Sequence, residues 1–262
     1  MTQSRKEKQK GMFKRIVKWM AIWLAAALCV LLLRRCAVSL VDIPGEGESP
    51  VLMAGEKVTV NLWAYGLRLS PMRWWGYVRW AEKRPQRGHW VAFNDPSAAS
   101  DSVCADEQPL FVGCCYALPG DTLWIDGRGG VHRRRPAGQA CKAVKLPCKG
   151  ERVAITPDNM PWYARIIHLH EGRQAVADGH SLRVEGRVVK NWRFGHDYYW
   201  MSSADADNLA DSRTFGFVPD VCLIGRLGYI VYSRDTRCTP WYDSFRFPRM
   251  LMRVGCRQKA QK

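Results

Sequence analysis

Acidic residues are in short supply. Only 24 Asp and Glu stand against 40 Lys and Arg in 262 residues, a formal charge of +16. That deficit favours polyanionic surroundings, either nucleic acid or an anionic membrane surface. Internal repeats are lacking, and so are the P-loop and dinucleotide glycine patterns, so no phosphate-cradling motif is present. After residue 40 no long amphipathic helix stands out. The short strand-like runs there point to a mostly β domain.

Against this background stands one apolar run, "IVKWMAIWLAAALCVLLL", residues 16–33, whose single charge is Lys18. As a helix it would reach roughly 27 Å, just enough for a bilayer core. Lys18 lies near one end, where it can snorkel to the headgroups. Arg34 and Arg35 follow at once with no small-residue cleavage site, which favours a retained anchor over a cleaved leader. Arg5, Lys6, Lys8, Lys10, Lys14 and Arg15 precede the run. The positive-inside rule then places the N-terminus in the cytoplasm and the rest of the chain outside it. The expected organisation is a basic cytoplasmic tail (1–15), a transmembrane helix (16–33), an extracytoplasmic β domain (34–245) and a basic C-terminal tail (246–262) that frays or lies on the membrane.

Ten cysteines suit an oxidising compartment better than a reducing one. Cys141 and Cys148 flank "CKAVKLPC", where a local disulfide is expected, although spacing does not fix pairing. Strand-like runs include "VTVNL" (58–62), "HWVAF" (89–93), "LFVGCCYAL" (110–118) and "TLWID" (122–126), with "ARIIHLH" and "CLIGRLGYIVYS" continuing the pattern. Residues 63–80 mix Trp63, Trp74, Trp75 and Trp80 with Arg68, Arg73 and Arg79, a composition suited to a membrane–water interface.

Four blocks, in order over residues 43–233, carry a resemblance. "IPGEGESPVLMAGE" resembles V-P-S-G-S-M-x-P-T-L-x-x-G-D. "RPQRGHWVAFNDP" resembles P-x-R-G-D-V-V-V-F-x-x-P. "LFVGCCYALPGDTLWIDG" resembles a strand carrying K-R followed by L-P-G-D-T. "YYWMSSADADNLADSRTFGFVP" resembles the closing G-D-N…S-x-D-S-R-x-F-G-x-V-P block. The family with these blocks behind an N-terminal anchor is type I signal peptidase, a membrane-anchored serine/lysine-dyad endopeptidase. The resemblance implies a mainly β fold: an antiparallel signal-peptidase-like β domain tethered by one N-terminal transmembrane helix.

Carried over residue by residue, the resemblance implies a broken dyad. Pro44, Pro50 and Gly55 fix the first register, so the family's nucleophilic serine falls on Gly47 and its next methionine on Glu48. Pro119, Gly120 and Asp121 fix the third, so the general-base lysine falls on Gly113. Asp211, Ser212 and Arg213 match D-S-R, and the serine that steadies the lysine falls on Leu209. A serine hydroxyl attacks only when a base removes its proton, and here the base must be a neutral, desolvated lysine amine. Glycine supplies neither group.

Ser49 is the fallback nucleophile. It shares a strand face with Gly47 but lies roughly 6–7 Å further along, where a misplacement of about 1 Å already costs two orders of magnitude. No Lys or Arg occurs from Cys104 through Gly127 to serve as its base. Cys114 or Cys115 with a histidine would make a thiol peptidase, but an apolar strand suits buried cysteines better. His168 and His170, read on one strand face, would make half a metal site with no third ligand. Asp211 and Arg213 are expected to form a structural ion pair. No metal or other cofactor is expected.

The expected function is that of a catalytically degenerate signal peptidase homologue in protein secretion, sited in the cell (inner) membrane. It would bind extended secreted or preprotein segments in a groove whose family-motif residues include Pro50, Leu52, Leu118, Pro119, Gly120, Asp121, Asp211, Ser212 and Arg213. Expected partners are membrane lipids, preproteins or an active signal peptidase, and not nucleic acid. The alternatives are an active serine endopeptidase using Ser49 and a membrane-surface binding protein.

Overall fold

The computed structural model describes residues 15–30, 37–43, 51–68, 79–97, 110–203, 211–235 and 244–255. Residues 15–30 form a helix, α1, whose side chains are all exposed. Among the described residues no helix is long and apolar enough to cross a membrane. The end of the expected span, residues 31–33, lies outside them.

The strands are β1 (Val38–Asp42), β2 (Glu56–Asn61), β3 (Leu67–Arg68), β4 (Arg79–Trp80), β5 (Trp90–Asn94), β6 (Leu110–Ala117), β7 (Thr122–Asp126), β8 (Val131–His132), β9 (Cys141–Lys145) and β10 (Arg152–Ala154). Helix α2 (Met160–His170) follows, then β11 (Ala175–Ala177), β12 (Leu182–Val184), β13 (Arg187–Val189), β14 (Asn191–Arg193) and β15 (Tyr198–Ser202). A short helix α3 (Ser212–Phe215), β16 (Val218–Pro219) and the long β17 (Leu223–Ser233) complete the set.

The main sheet has the order β1-β2-β17-β5-β6-β15-β16, and its mapped pairings are antiparallel. Patterning explains the placement. β5, "WVAFN", is buried along its whole length, as a central strand covered on both faces should be. β2 alternates instead, with Glu56, Val58 and Val60 buried and Lys57 and Asn61 exposed. β17 changes register against β2 and β5 and so curls the sheet. Gly225 permits this, since a Cβ there would stand 2.5 Å from the Asn61 carbonyl oxygen.

A second lobe is inserted between β6 and β15. It holds the sheet β8-β7-β9, the ribbon β10-β14 and the meander β11-β12-β13. Helix α2 fills its centre with Tyr163, Ile166 and Ile167, packed on Leu123, Leu146 and Phe194. The Tyr163 hydroxyl donates to the Lys145 carbonyl at 2.8 Å. This helix corrects the strand read for "ARIIHLH". Asn159 and a proline in the first turn mark its start. A short apolar run cannot be told from a strand by periodicity alone.

The C-terminal segment also departs from expectation. Residues 244–254 lie along the part of β17 that β5 leaves uncovered. Ile230 N–H donates to Met252 O at 2.9 Å, Leu251 N–H to Ile230 O at 2.7 Å and Val254 N–H to Gly228 O at 2.8 Å. Val254 is buried in the same core as Leu52 and Val60. Up to Gly255 the tail is therefore a strap on the sheet rather than a frayed end; residues 256–262 lie outside the described residues.

Candidate functional site

Gly113 sits in the middle of the main sheet, on β6, opposite Val91 of β5. It is buried. A Cβ built there would meet the Met201 Cβ at 3.2 Å and Phe93 Cε1 at 3.3 Å. Phe93 comes from β5 and Met201 from β15, so neighbouring strands close over the glycine from both sides. Phe111, also on β6, packs at a tilt near Phe93 at 6.1 Å and against Phe215 at 4.6 Å between ring centroids. The surroundings of the expected base position are thus aromatic and thioether, packed to contact.

Met201 is held in place by the D-S-R motif. Its N–H donates to Ser212 Oγ at 2.8 Å, and Ser212 is fully buried. Asp211, also buried, caps α3 by accepting from Arg213 N–H at 2.8 Å, accepts from Ser203 N–H at 3.1 Å and pairs with Arg213 Nε at 2.9 Å. The expected Asp211–Arg213 ion pair is present, and the motif fixes the end of β15 over Gly113.

The L-P-G-D stretch is a tight turn between β6 and β7. Asp121 N–H donates to Leu118 O at 3.0 Å, and Gly120 has φ +89°. Proline followed by a residue at positive φ is the type II signature, which favours glycine. The Asp121 carboxylate accepts from Leu118 N–H at 2.8 Å and pairs with Arg87 at 2.5 Å. Burial works against its charge, but Arg87 and the Leu118 amide outweigh this and hold the carboxyl below its usual range. Leu118, Pro119, Gly120 and Asp121 therefore form a joint between the lobes.

The first block is split by what the structure describes. Pro44, Gly47, Glu48, Ser49 and Pro50 lie outside the described residues, as does Leu209. From Val51 onward the block forms a turn into β2. Leu52 is buried in the core with Val58, Val60 and Trp90. Glu56 is fully buried and accepts from Met53 N–H at 3.0 Å and Ser233 Oγ at 3.0 Å. Its counter-ion is Arg249 of the strap, Nε to Oε1 at 2.5 Å and Nη2 to Oε2 at 3.3 Å.

Other candidates resolve differently. Cys115 is fully buried and Cys114 nearly so, which denies a substrate access to either thiol. His168 and His170 ride on α2 rather than a strand, and point apart: His168 is exposed, while His170 is buried with Nε2 2.7 Å from the Pro96 carbonyl. Among the described residues no group of three metal-ligating side chains gathers. Cys141 and Cys148 are both free. Cys141 pairs with Asp126 at the far end of β7, whereas Cys148 Sγ lies beside Gly120 ahead of the start of β7, so the length of β7, roughly 13 Å or more, separates them, beyond the reach of a disulfide. The expected bridge is a correction: neighbours in sequence are kept apart by the strand between them.

Sequence reasoning missed two anchoring pairs. Arg84 Nε donates to Asp197 Oδ2 at 3.0 Å, and Lys149 N–H donates to Asp197 Oδ1 at 2.8 Å. With Arg87–Asp121, this ties "RPQRG" to both lobes. The sequence hints at it only through two arginines in one motif block. Nothing in the sequence signals Arg249–Glu56, whose members stand 193 residues apart.

Comparison with known proteins agrees with this geometry. The family described as "Signal peptidase, peptidase S26" matches residues 16–232. A protein named signal peptidase I from Haemophilus influenzae is 23% identical over 248 residues, covering 81% of this chain and 68% of its own. A signal peptidase I from Pseudomonas aeruginosa is 26% identical over 213 residues, covering 75% of this chain and 66% of its own. The match thus spans about two thirds of each relative's length.

Proposed function

Since the chain belongs to the signal peptidase, peptidase S26, family, we propose that it binds extended secreted or preprotein segments without cleaving them. The observation that carries this reading is the packing around Gly113. Met201 and Phe93 stand 3.2 and 3.3 Å from where a Cβ would sit, tighter than an ordinary contact. A general base needs an ammonium-bearing arm at that point. The glycine supplies no such arm, and its close neighbours resist the addition of one.

The binding half of the reading is supported by a sheet edge. β15 pairs with β6 only as far as Ser202 opposite Cys114. Among the described residues no strand lies on that side of Leu110–Gly113. An extended peptide can add there as a strand, with main-chain hydrogen bonds giving affinity and side-chain pockets giving choice. The apolar run 16–33, with basic residues ahead of it, would hold the domain at the outer face of the inner membrane.

The test uses the full chain in detergent with a preprotein that an active signal peptidase cleaves. Photocrosslinkers placed along the preprotein's extended segment should join it to the β6 region while the preprotein stays whole. Ser49→Ala should change neither result. Cleavage by the natural protein that disappears in Ser49→Ala would overturn the proposal in favour of an active peptidase.

A further inference from the structure

We infer that the C-terminal strap positions the wall of the proposed groove, with Arg249 as the positioning residue. The inference rests on the binding reading above for its functional half. Its structural half stands on the hydrogen bonds of one turn.

The turn Val51–Glu56 follows directly on the block that holds the family's nucleophile position. It has little regular structure of its own: Glu56 N–H donates to Met53 O at 3.3 Å and Arg234 N–H of the segment after β17 to Gly55 O at 3.2 Å, and the strap supplies the remaining partners. Arg249 Nη2 donates to the Val51 carbonyl at 3.1 Å, and Arg246 Nη1 to the Ala54 carbonyl at 3.2 Å. Arg249 also holds both Glu56 carboxylate oxygens, one of which accepts from the Met53 amide at 3.0 Å. Three backbone groups of a six-residue turn are thus bound to the strap directly or through Glu56. Arg246 is itself steadied by Asp235 at 2.8 Å.

The chemistry makes this contact specific. Glu56 is fully buried, and a buried carboxylate without its counter-ion is strongly disfavoured. A guanidinium presents a planar fork that serves both carboxylate oxygens and one carbonyl together; an ammonium cannot reproduce that geometry. The strap is therefore more than a cover for the β17 edge. It sets the path of the chain four residues beyond Gly47, where Val51 and Leu52 share one apolar cluster with Leu110 and Val112 of β6, the strand of the proposed binding edge.

The test compares the full-length protein with Arg249→Ala, Arg249→Lys and Arg246→Ala. Amide hydrogen exchange reads the turn, and binding of a fluorescent signal-peptide-derived peptide reads the groove. In Arg249→Ala, exchange at Met53 and Glu56 should quicken about tenfold more than exchange in β7 and β9, and peptide affinity should fall about tenfold. Arg249→Lys should recover part of both, and Arg246→Ala should loosen the turn less. Should Arg249→Ala fail to fold, the two milder variants carry the test. Equal quickening in the turn and in β7 and β9 overturns the inference, because Arg249 would then serve overall stability alone. A loosened turn with unaltered peptide affinity also overturns it. A natural protein that binds no peptide counts against the proposed function, and the exchange result alone then decides the strap.

Discussion

The Cβ that Gly113 lacks would stand 3.2 Å from the Cβ of Met201. At that separation a neighbour must give by a few tenths of an ångström. Gly113→Ala should therefore be tolerated with a small loss. Gly113→Lys should cost about 1–3 kcal/mol from overpacking alone, before the burial of an ammonium is counted. Urea melts of the two variants against the natural protein check this. The combined change Gly47→Ser with Gly113→Lys should gain little peptidase activity, since a lysine there must shift Met201 or Phe93 and the residue expected to steady it is Leu209, which cannot hydrogen-bond an amine.

Asp197 is buried, whereas the Arg84 side chain that binds it is 63% exposed. The two halves of the pair should therefore respond unequally. Asp197→Asn leaves a buried group in place but removes the charge-assisted bonds, for an expected loss of about 1.5–3 kcal/mol. Arg84→Ala should cost less, because water can take up the vacated side of the carboxylate. A larger loss in Arg84→Ala, measured by chemical denaturation, would contradict this.

His170 gives the fold a dependence on acid. Burial pushes its pKa down from 6.5 to about 4, against the hydrogen bond that Nε2 donates to the Pro96 carbonyl, with His196 and Arg165 adding to the fall. The unfolded chain takes up a proton near 6.5 while the folded chain does not. Stability from this group is thus complete above about pH 6.5 and declines as pH falls towards 4. At about 1.4 kcal/mol per pH unit the full loss is about 3 kcal/mol. His196 has the opposite sign. Burial disfavours its charge, but Asp220 at 3.0 Å outweighs this and raises its pKa. Its contribution is present below 6.5 and lost as pH rises through the folded value. Denaturation at pH 7 and pH 5 should show a smaller acid loss in His170→Asn and a larger one in His196→Asn.

Cys141 and Cys148 should remain unlinked to each other. Mass mapping after rapid alkylation under non-reducing conditions should recover no peptide joined through this pair. Finding such a bridge would mean that β9 does not form as described, since its extended strand separates them.

The motif blocks made much of this architecture readable. "HWVAF", "LFVGCCYAL" and "TLWID" became β5, β6 and β7, and "LPGD" became the turn between the last two. These features are local: an apolar run, a β-branched run, a proline before a glycine. Helix α2 was missed because "ARIIHLH" is short and apolar on more than one face, and its best marker is the proline at its start. The packing around Gly113 was not readable either. The sequence shows glycine where the resemblance expects a lysine, but only the meeting of β5, β6 and β15 shows how closely Phe93 and Met201 stand to that position. Arg249 looked like one more charge in a basic tail, because a partner 193 residues away leaves no local trace.

The strap also bears on how the chain can be made. A ribosome releases Glu56 long before Arg249, and Thr59 long before Tyr229, its hydrogen-bonded neighbour 170 residues on. Until β17 emerges β2 lacks its inner neighbour, and until the strap follows the Glu56 carboxylate lacks Arg249 as the counter-ion with which to enter the core. Pairings of such long separation are slow to form. A chain interrupted before residue 244 would leave the β17 edge bare, a ready template for strands of other molecules. Emergence of the strap thus acts as a checkpoint on folding: the sheet seals beside its first strands only once residues 244–254 are available.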